Sequence, residues 1–253
     1  MNKIKIGIAL AILMIAAMAT PAMATESEKR AVIIGVDDGL GDGPYNDAYA
    51  VKYALMEIYG WNESDIRVMT DDLDETDPNY PNRTNVLFNL EWLAGATDSA
   101  VLYYSGHGTN GVVDPDDDGE VLDEGIVLTD GILWDGEIAD KLAGMTTPAW
   151  IMFDTCKAGG YDDVGVTSEN RVITLSSNEG QLSWQREFPE GVYGVFTYFM
   201  VYKGILSELA EDINEDGWIS IEEAFEYAKN NMVRQDKRQK IQMIDTYDGE
   251  LVP

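Results

Sequence analysis

The chain contains one histidine and one cysteine, His107 and Cys156, and together these residues could perform nucleophilic catalysis. A cysteine attacks a carbonyl carbon as the thiolate, and one imidazole can take the thiol proton and later protonate the leaving amine. Taken singly, the cysteine could be a small buried hydrophobe and the histidine a hydrogen-bonded loop residue. Their sequence surroundings favour catalysis.

Each of the two residues lies in a glycine-containing segment that directly follows an apolar run. His107 belongs to YYSGHG (residues 103–108) and Cys156 belongs to FDTCKAGG (residues 153–160). Ligands of an open parallel sheet bind beyond the carboxyl ends of its strands, so neighbouring strands would bring both segments into one crevice. The backbone N–H groups of Gly108 and Cys156 are candidate donors to a developing oxyanion.

The elements that must position these segments follow from the hydrophobic pattern. The predicted order is strand 31–36, helix 46–59, strand 66–69, helix 86–93, strand 99–104, a hairpin arm around 112–128, helix 135–142, strand 149–153, strand 171–175, helix 192–209 and helix 220–231. Asn46 or Asp47 is placed to cap the first helix, and Asp135 the third. The alternation predicts an α/β domain whose mainly parallel sheet is covered on both faces.

Residues 1–24 have the pattern of a signal peptide. Lys3 and Lys5 precede an apolar run from residue 6 to residue 19, and small residues flank Met23, which predicts cleavage after Ala24 and a secreted or extracytoplasmic protein. A membrane anchor needs about 18 to 20 apolar residues, so we expect no membrane insertion after cleavage. Residues 25–253 suffice for one compact domain.

The charge balance restricts the partners of the chain. Its formal net charge is −29, which disfavours nucleic acid and anionic lipid and favours cationic polypeptides and metal ions. Acidity could also serve solubility alone. A single cysteine excludes an intrachain disulfide, and a lone thiol in an extracellular protein therefore requires a chemical explanation.

Residues 212–223 follow the pattern of an EF-hand calcium loop. Oxygen ligands alternate along it, a glycine stands at the sixth position, and a backbone carbonyl serves the seventh. The predicted Ca²⁺ ligands are Asp212, Asn214, Asp216, Trp218 through its carbonyl, Ser220 and Glu223. A polar turn with a helix cap would explain Ser220 and Glu223 but not the alternation. The sequence therefore predicts a structural or activating calcium ion.

The segments YYSGHG and DTCKAGG resemble the paired motifs of the caspase-like clan of cysteine peptidases, which includes caspases, metacaspases, legumains and clostripain-like enzymes. The resemblance spans about residues 31–205 and is nearest to prokaryotic metacaspase-like peptidases, since an acidic segment with Asp123 and Glu124 follows the histidine segment. It implies a three-layer α/β/α sandwich and a His107/Cys156 dyad that hydrolyses peptide bonds. Lys157 and Ala158 depart from the His-Ser pair that often follows the nucleophile of metacaspases.

The resemblance also implies a substrate preference. Metacaspases form an acidic pocket from an Asp two residues before the nucleophile and the Asp of an Asn-Asp pair that opens the first helix; Asp154 and Asp47 match these positions. Two buried carboxylates favour a cation, so we predict cleavage after Arg or Lys. Alternatively, Asp154 caps a turn and Asp47 a helix, and a legumain-like pocket would prefer Asn.

A second acidic run, residues 114–124, fails as an EF-hand because Gly125 stands where the final acid belongs. It could hold calcium through Asp116, Asp118 and Glu124, in line with the calcium activation that is frequent among metacaspase-like enzymes, or be a solvated arm.

Two classes of function therefore compete: a cysteine endopeptidase and a non-catalytic secreted calcium-binding module. A catalytic Cys156 is expected to react with iodoacetamide well below about pH 8, whereas a buried thiol would resist. Arg171 and Arg186 are candidate sites of self-cleavage in a predicted loop region.

Overall fold

The computed structural model describes residues 28–111, 123–161, 169–232 and 238–253. The predicted signal peptide and the second acidic run as far as residue 122 lie outside the described residues. Within the described ranges, no helix has both the length and the apolar character that crossing a bilayer requires.

The elements alternate between strand and helix in the first part of the chain, as predicted, and runs of consecutive strands follow from residue 99. In chain order they are β1 (Lys29–Gly35), α1 (Gly43–Tyr53, continued by a π-helical turn, Ala54–Ile58), β2 (Ile66–Thr70), α2 (Arg83–Ala94), β3 (Ser99–Ser105), β4 (Gly108–Asn110), β5 (Glu124–Leu128), β6 (Gly131–Trp134), α3 (Asp135–Leu142), β7 (Ala149–Asp154), β8 (Arg171–Leu175), β9 (Gln185–Phe188), β10 (Gly191–Gly194), α4 (Val195–Thr197, continued as a π-helix, Tyr198–Leu206), α5 (Ile221–Asn231) and β11 (Gln242–Asp245).

A six-stranded sheet forms the middle layer, with the strand order β11-β8-β7-β3-β1-β2. The five strands from β8 to β2 are parallel, and β11 closes the edge antiparallel to β8. The central strands are apolar throughout because both of their faces are covered. In β1, Ala31 and Ile33 pack on the side of α1, α4 and α5, whereas Val32 and Ile34 pack on the side of α2 and α3. The structure thus confirms the predicted three layers.

A small sheet beside the central one contains β4, β5 and β6, all antiparallel. β4 begins directly after His107, and Val127 N donates to the His107 carbonyl at 3.0 Å. The predicted arm therefore starts at the histidine segment, although Val112 and Val113 lie outside the described residues.

Three predicted boundaries were wrong. Residues 192–194 are not helical: they form β10, because Gly191 and Gly194 flank a β-branched and aromatic pair that aligns with β9, and α4 starts at Val195. α1 starts at Gly43 with a proline in its first turn, so neither Asn46 nor Asp47 caps it. Asp135 is the first residue of α3 and is buried, and Trp134 occupies the cap position.

Candidate active site

His107 and Cys156 lie at the carboxyl ends of two adjacent parallel strands. Ser105 at the end of β3 is aligned with Asp154 at the end of β7, and each catalytic candidate follows two residues later. Both are half-buried and both line a cavity of about 250 Å³. The strand order therefore brings the only histidine and the only cysteine of the chain together, as the sequence predicted.

The two segments are tied to each other by short contacts. Thr155 Oγ1 donates a hydrogen bond of 2.9 Å to the Gly106 carbonyl. A side chain at position 108 would collide with the carbonyl oxygen of Cys156 and with Thr155, so this approach requires glycine. Gly106 and Cys156 line the cavity, and Gly108 is not among the residues that line it. That the Gly108 N–H donates to the oxyanion together with the Cys156 N–H remains a prediction.

The surroundings of the Cys156 thiol favour its protonated form. Its Sγ lies 3.8 Å from the Ser183 carbonyl oxygen. Burial raises the pKa of the thiol above its ordinary value and the Asp154 carboxylate raises it further, while the hydrogen bond with the Ser183 backbone and the Lys157 ammonium oppose the rise. The expected fast alkylation below about pH 8 remains a prediction, and this direction of the thiol pKa opposes it.

Two carboxylates form the floor of the cavity. Asp47 is 1% exposed and Asp154 is 5% exposed. Asp47 accepts hydrogen bonds from Ser105 Oγ at 2.7 Å and from Gly194 N at 3.0 Å. Because it lies inside α1 and faces the sheet, the helix-capping alternative for Asp47 was wrong.

Asp154 accepts a hydrogen bond from Ser183 Oγ at 2.7 Å. Thr197 donates to it twice, from its backbone N at 3.0 Å and its hydroxyl at 2.8 Å. Gly194 packs against both carboxylates, and a side chain at that position would collide with each of them. Donors from three separate segments therefore turn the two acids toward one point.

Both carboxylates of the floor have raised pKa values. Burial raises the pKa of Asp47 well above its ordinary value, and the charge of Asp154 adds to this effect. Burial also raises the pKa of Asp154, while its hydrogen bonds from Ser183 and Thr197 oppose the rise. Two buried like charges are costly, and a guanidinium or ammonium placed between them would remove that cost.

Several polar residues of the cavity were missed from the sequence. Ser105 stands inside the histidine segment and could have been found there. Ser183, Gly194 and Thr197 follow Cys156 by about thirty to forty residues with no spacing that links them to it. Trp184, which lines the cavity with its indole half exposed, gave no signal either.

The predicted calcium loop is an ordered polar turn. Asp212, Asn214 and Asp216 each accept hydrogen bonds from loop backbone N–H groups, and Gly217 has a φ of +92°. Glu223 accepts from Ser220 N at 2.9 Å, and Ser220 Oγ accepts from Glu223 N at 3.2 Å. This reciprocal pair is a capping box at the start of α5.

The identity of the loop side chains suits Ca²⁺, since all the predicted donors are oxygens. Glu250, which the sequence did not single out, accepts from Asn214 Nδ2 at 2.6 Å and adds a carboxylate. In the parts of the chain that the structure describes, however, no three His, Cys, Asp or Glu side chains are gathered as they would be around a metal ion. The loop therefore fits calcium by composition and a helix cap by its present hydrogen bonds.

Of the other acidic and basic candidates, Asp123 and Glu124 are buried, Glu124 against Gly160, while Asp116 and Asp118 lie outside the described residues. Arg171 is not in a loop. It lies in β8, is 1% exposed, and donates to the Leu142 and Met145 carbonyls, so it cannot reach an active site without unfolding. Arg186 lies in β9 with its guanidinium over the Phe188 ring.

Comparison with known proteins agrees with this geometry. Residues 29–164 match the family described as metacaspase, peptidase C14 domain. Metacaspase-1A of Neurospora crassa is 33% identical over 188 residues, which are 66% of this chain and 41% of the relative. Metacaspase-2 of Arabidopsis thaliana is 36% identical over 124 residues, or 44% of this chain and 29% of the relative.

The chain spans less than half the length of these curated relatives. Caspase-1 from Spodoptera frugiperda has the same fold, with a TM-score of 0.56 at 13% identity over 89% of this chain and 90% of that structure. The family match covers more than half of the chain and includes both the histidine segment and the cysteine segment. The chain therefore belongs to the metacaspase family of cysteine peptidases.

Proposed function

We propose that this protein is a secreted cysteine endopeptidase that cleaves after Arg or Lys. The observation that carries the proposal is the meeting of His107, Cys156 and two buried carboxylates in one cavity. Membership of the metacaspase family supports the peptidase chemistry. The acid pair supports the basic preference over the Asn preference of a legumain-like pocket, since a cation offsets the cost of charging two buried carboxylates and a neutral amide does not.

In the proposed reaction, His107 is the general base and then the general acid. Because the thiol pKa is raised, the thiol proton is transferred to His107 as Sγ attacks the scissile carbonyl. The oxyanion that forms would accept hydrogen bonds from the candidate backbone N–H groups of Gly108 and Cys156. The imidazolium then protonates the leaving amine, and the C–N bond breaks to leave an acyl-enzyme. Water, deprotonated by His107, attacks that thioester, and the thiol leaves with its proton restored.

The basic side chain before the scissile bond would lie on the acid floor. A guanidinium has five N–H donors in one plane and can contact two carboxylates at once, whereas an ammonium acts as a point charge. Ser183 and Thr197 already hold Asp154 in place, so little reorganisation is needed when the cation arrives. We expect Arg to be preferred over Lys for this reason.

We also propose that residues 212–223 bind Ca²⁺, with Asp212, Asn214, Asp216, the Trp218 carbonyl, Ser220 and Glu223 as ligands. The ion would neutralise adjacent carboxylates and fix the start of α5. The alternating oxygen donors support this role.

Secretion is proposed on the pattern of residues 1–24. N-terminal sequencing of protein recovered from the culture medium would test it, and the expected first residue is Thr25.

The proposed activity is tested with fluorogenic peptides that differ only in the residue before the reporter: Arg, Lys, citrulline, Asn or Asp. Citrulline has the shape of Arg without its charge. A loss of at least about 100-fold in kcat/KM from the Arg peptide to the citrulline peptide would therefore show that the two carboxylates recognise the charge. Each peptide is assayed with Ca²⁺ and with chelator, on reduced mature protein and on Cys156→Ala.

Cleavage after Arg and Lys that the variant lacks is the expected result. If no peptide is cleaved under either condition, the non-catalytic calcium-binding module becomes the better description. Cleavage after Asn alone would instead indicate that the pocket is legumain-like.

A further inference from the structure

The residues on either side of Cys156 both contact the segment around His107. Thr155 Oγ1 donates to the Gly106 carbonyl, on the amino side of His107. Lys157 Nζ donates to Asn110 Oδ1 in β4, on the carboxyl side. The histidine is thus held between two side-chain contacts that come from the two neighbours of the cysteine.

Lys157 is itself held firmly by its backbone. Its φ is +62°, in the left-handed region, which costs a residue other than glycine about 1 kcal/mol and is unusual for lysine. Its N–H donates to the Gln181 carbonyl at 2.7 Å, and its carbonyl accepts from Gly160 N at 3.1 Å. This conformation turns the half-buried side chain from the cysteine loop toward β4.

We propose that Lys157 is a positioning residue, which ties the strand after His107 to the cysteine loop and keeps a positive charge beside the sulfur. The role rests on the proposed peptidase function. It accounts for the residue that departs from the His-Ser pair of the resembling enzymes, since a lysine at this position can both reach β4 and carry a permanent charge.

Electrostatics supports this role. Burial and Asp154 raise the thiol pKa, whereas the Ser183 backbone and the Lys157 ammonium lower it. The other titratable groups that face this region are Tyr104 from β3, Tyr161 after the cysteine loop, Asp47 on α1 and His107 itself. A nearby ammonium favours the thiolate, because a positive charge stabilises the negative charge on the sulfur.

The experiment separates the contact from the charge. Lys157→Met keeps the length of the side chain and removes both, Lys157→Arg keeps both, and Asn110→Ala removes the contact while leaving the charge. Lys141→Met, on the outer face of α3, is the matched control for loss of a lysine. For each variant, the rate of Cys156 alkylation by iodoacetamide is followed from about pH 6 to about pH 10, and kcat and KM are measured on the Arg peptide.

Lys157→Met should move the alkylation profile upward by about half to one pH unit and lower kcat by about tenfold, with KM little changed. Asn110→Ala should lower kcat while its alkylation profile stays with the wild type, and Lys157→Arg should restore both. The double variant Lys157→Met/Asn110→Ala should have the same kcat as Lys157→Met alone, since both changes remove the same contact.

An alkylation profile of Lys157→Met that coincides with that of Lys141→Met would overturn the role in charge, and an unchanged kcat in Asn110→Ala would overturn the role of the contact. Alkylation reads the thiol without any peptide substrate. Failure of the peptidase proposal would therefore leave the thiol measurement intact, and failure of the Lys157 proposal would leave peptide cleavage intact.

Discussion

The active-site cavity and the predicted calcium loop are both rich in acidic oxygens, but they are built in opposite ways. The polar groups of the cavity come from residues 47, 105, 154, 183 and 197, and they are almost fully buried or tied to buried partners. The loop gathers its groups within residues 212–223, where Asn214, Asp216 and Trp218 are exposed, Asp212 is half-buried, and Ser220 and Glu223 are buried. One arrangement depends on the whole fold, and the other on one turn of chain.

This difference decides how strongly each region should respond to substitution. Charges buried in the cavity interact through a medium of low polarity, so removing one changes substrate binding and stability by a large factor. The exposed carboxylates of the loop are screened by water, so their electrostatic interactions are weaker. Perturbations of the cavity should therefore exceed those of the loop.

The largest effect is expected from removing either catalytic candidate. Cys156→Ala and His107→Ala should each lower kcat/KM for the Arg peptide by at least about 1000-fold, and the double variant should be no worse than either. Circular dichroism and thermal unfolding should match the wild type, because both side chains are half-buried at the cavity surface. Additive losses in the double variant would show that the two residues do not act as one unit.

Removing one carboxylate of the floor should have the next largest effect on activity. Asp154→Asn is expected to lower kcat/KM for the Arg peptide by about 100-fold and to leave the citrulline peptide nearly unaffected, since the variant removes the charge but keeps the shape. Asp140→Asn, at an exposed position of α3, is the control. Equal losses on both peptides would indicate a distorted pocket rather than a missing charge.

The carboxylates of Asp47 and Asp154 should also lower the free energy of unfolding, by an amount that depends on pH. Asp47 has a folded-state pKa above its unfolded value, so the folded state binds more protons between those two values. Its contribution to the free energy of unfolding is thus fully present below about pH 4 and is lost as the pH rises through the folded-state pKa.

Asp47→Asn lacks this loss, so urea unfolding should show it more stable than the wild type by about 1 to 3 kcal/mol at pH 8, with a smaller difference at pH 5. A variant that is equally destabilised at both pH values would show that the Ser105 and Gly194 hydrogen bonds, and not charge, dominate at this position.

Much of the fold and the centre of the cavity could be predicted because they depend on local pattern and strand adjacency. The apolar runs gave the parallel strands, and the rule that ligands bind at their carboxyl ends brought His107 to Cys156. Gly194 and Thr197 could not be found in this way, because the β9–β10 hairpin that brings them to Asp154 reads as the start of a helix. Asp47 was ambiguous until α1 proved to begin before it.

Substitution in the predicted calcium loop should have a smaller effect, and the effect on Tm should appear only when calcium is present. Glu223→Gln preserves the capping box, since glutamine also accepts from Ser220 N, but it removes the bidentate carboxylate that Ca²⁺ needs. In the wild type, about 1 mM Ca²⁺ should raise Tm by a few degrees over chelator, and this rise should be absent in Glu223→Gln. Glu215→Gln, at a loop position that supplies no ligand, is the control. The same rise in all three proteins would mean that calcium acts elsewhere.

The smallest effect should come from the cap alone. Ser220→Ala removes the hydroxyl that accepts from Glu223 N and should lower the free energy of unfolding by about 1 kcal/mol in chelator. Glu223→Gln should cost much less under the same conditions, because it keeps its own half of the box. Calcium should still raise the Tm of Ser220→Ala, since the ninth position of such loops often reaches the ion through water. If Ser220→Ala and Glu223→Gln were equally unstable in chelator and neither responded to calcium, the turn would be a helix cap with an incidental resemblance to a metal loop.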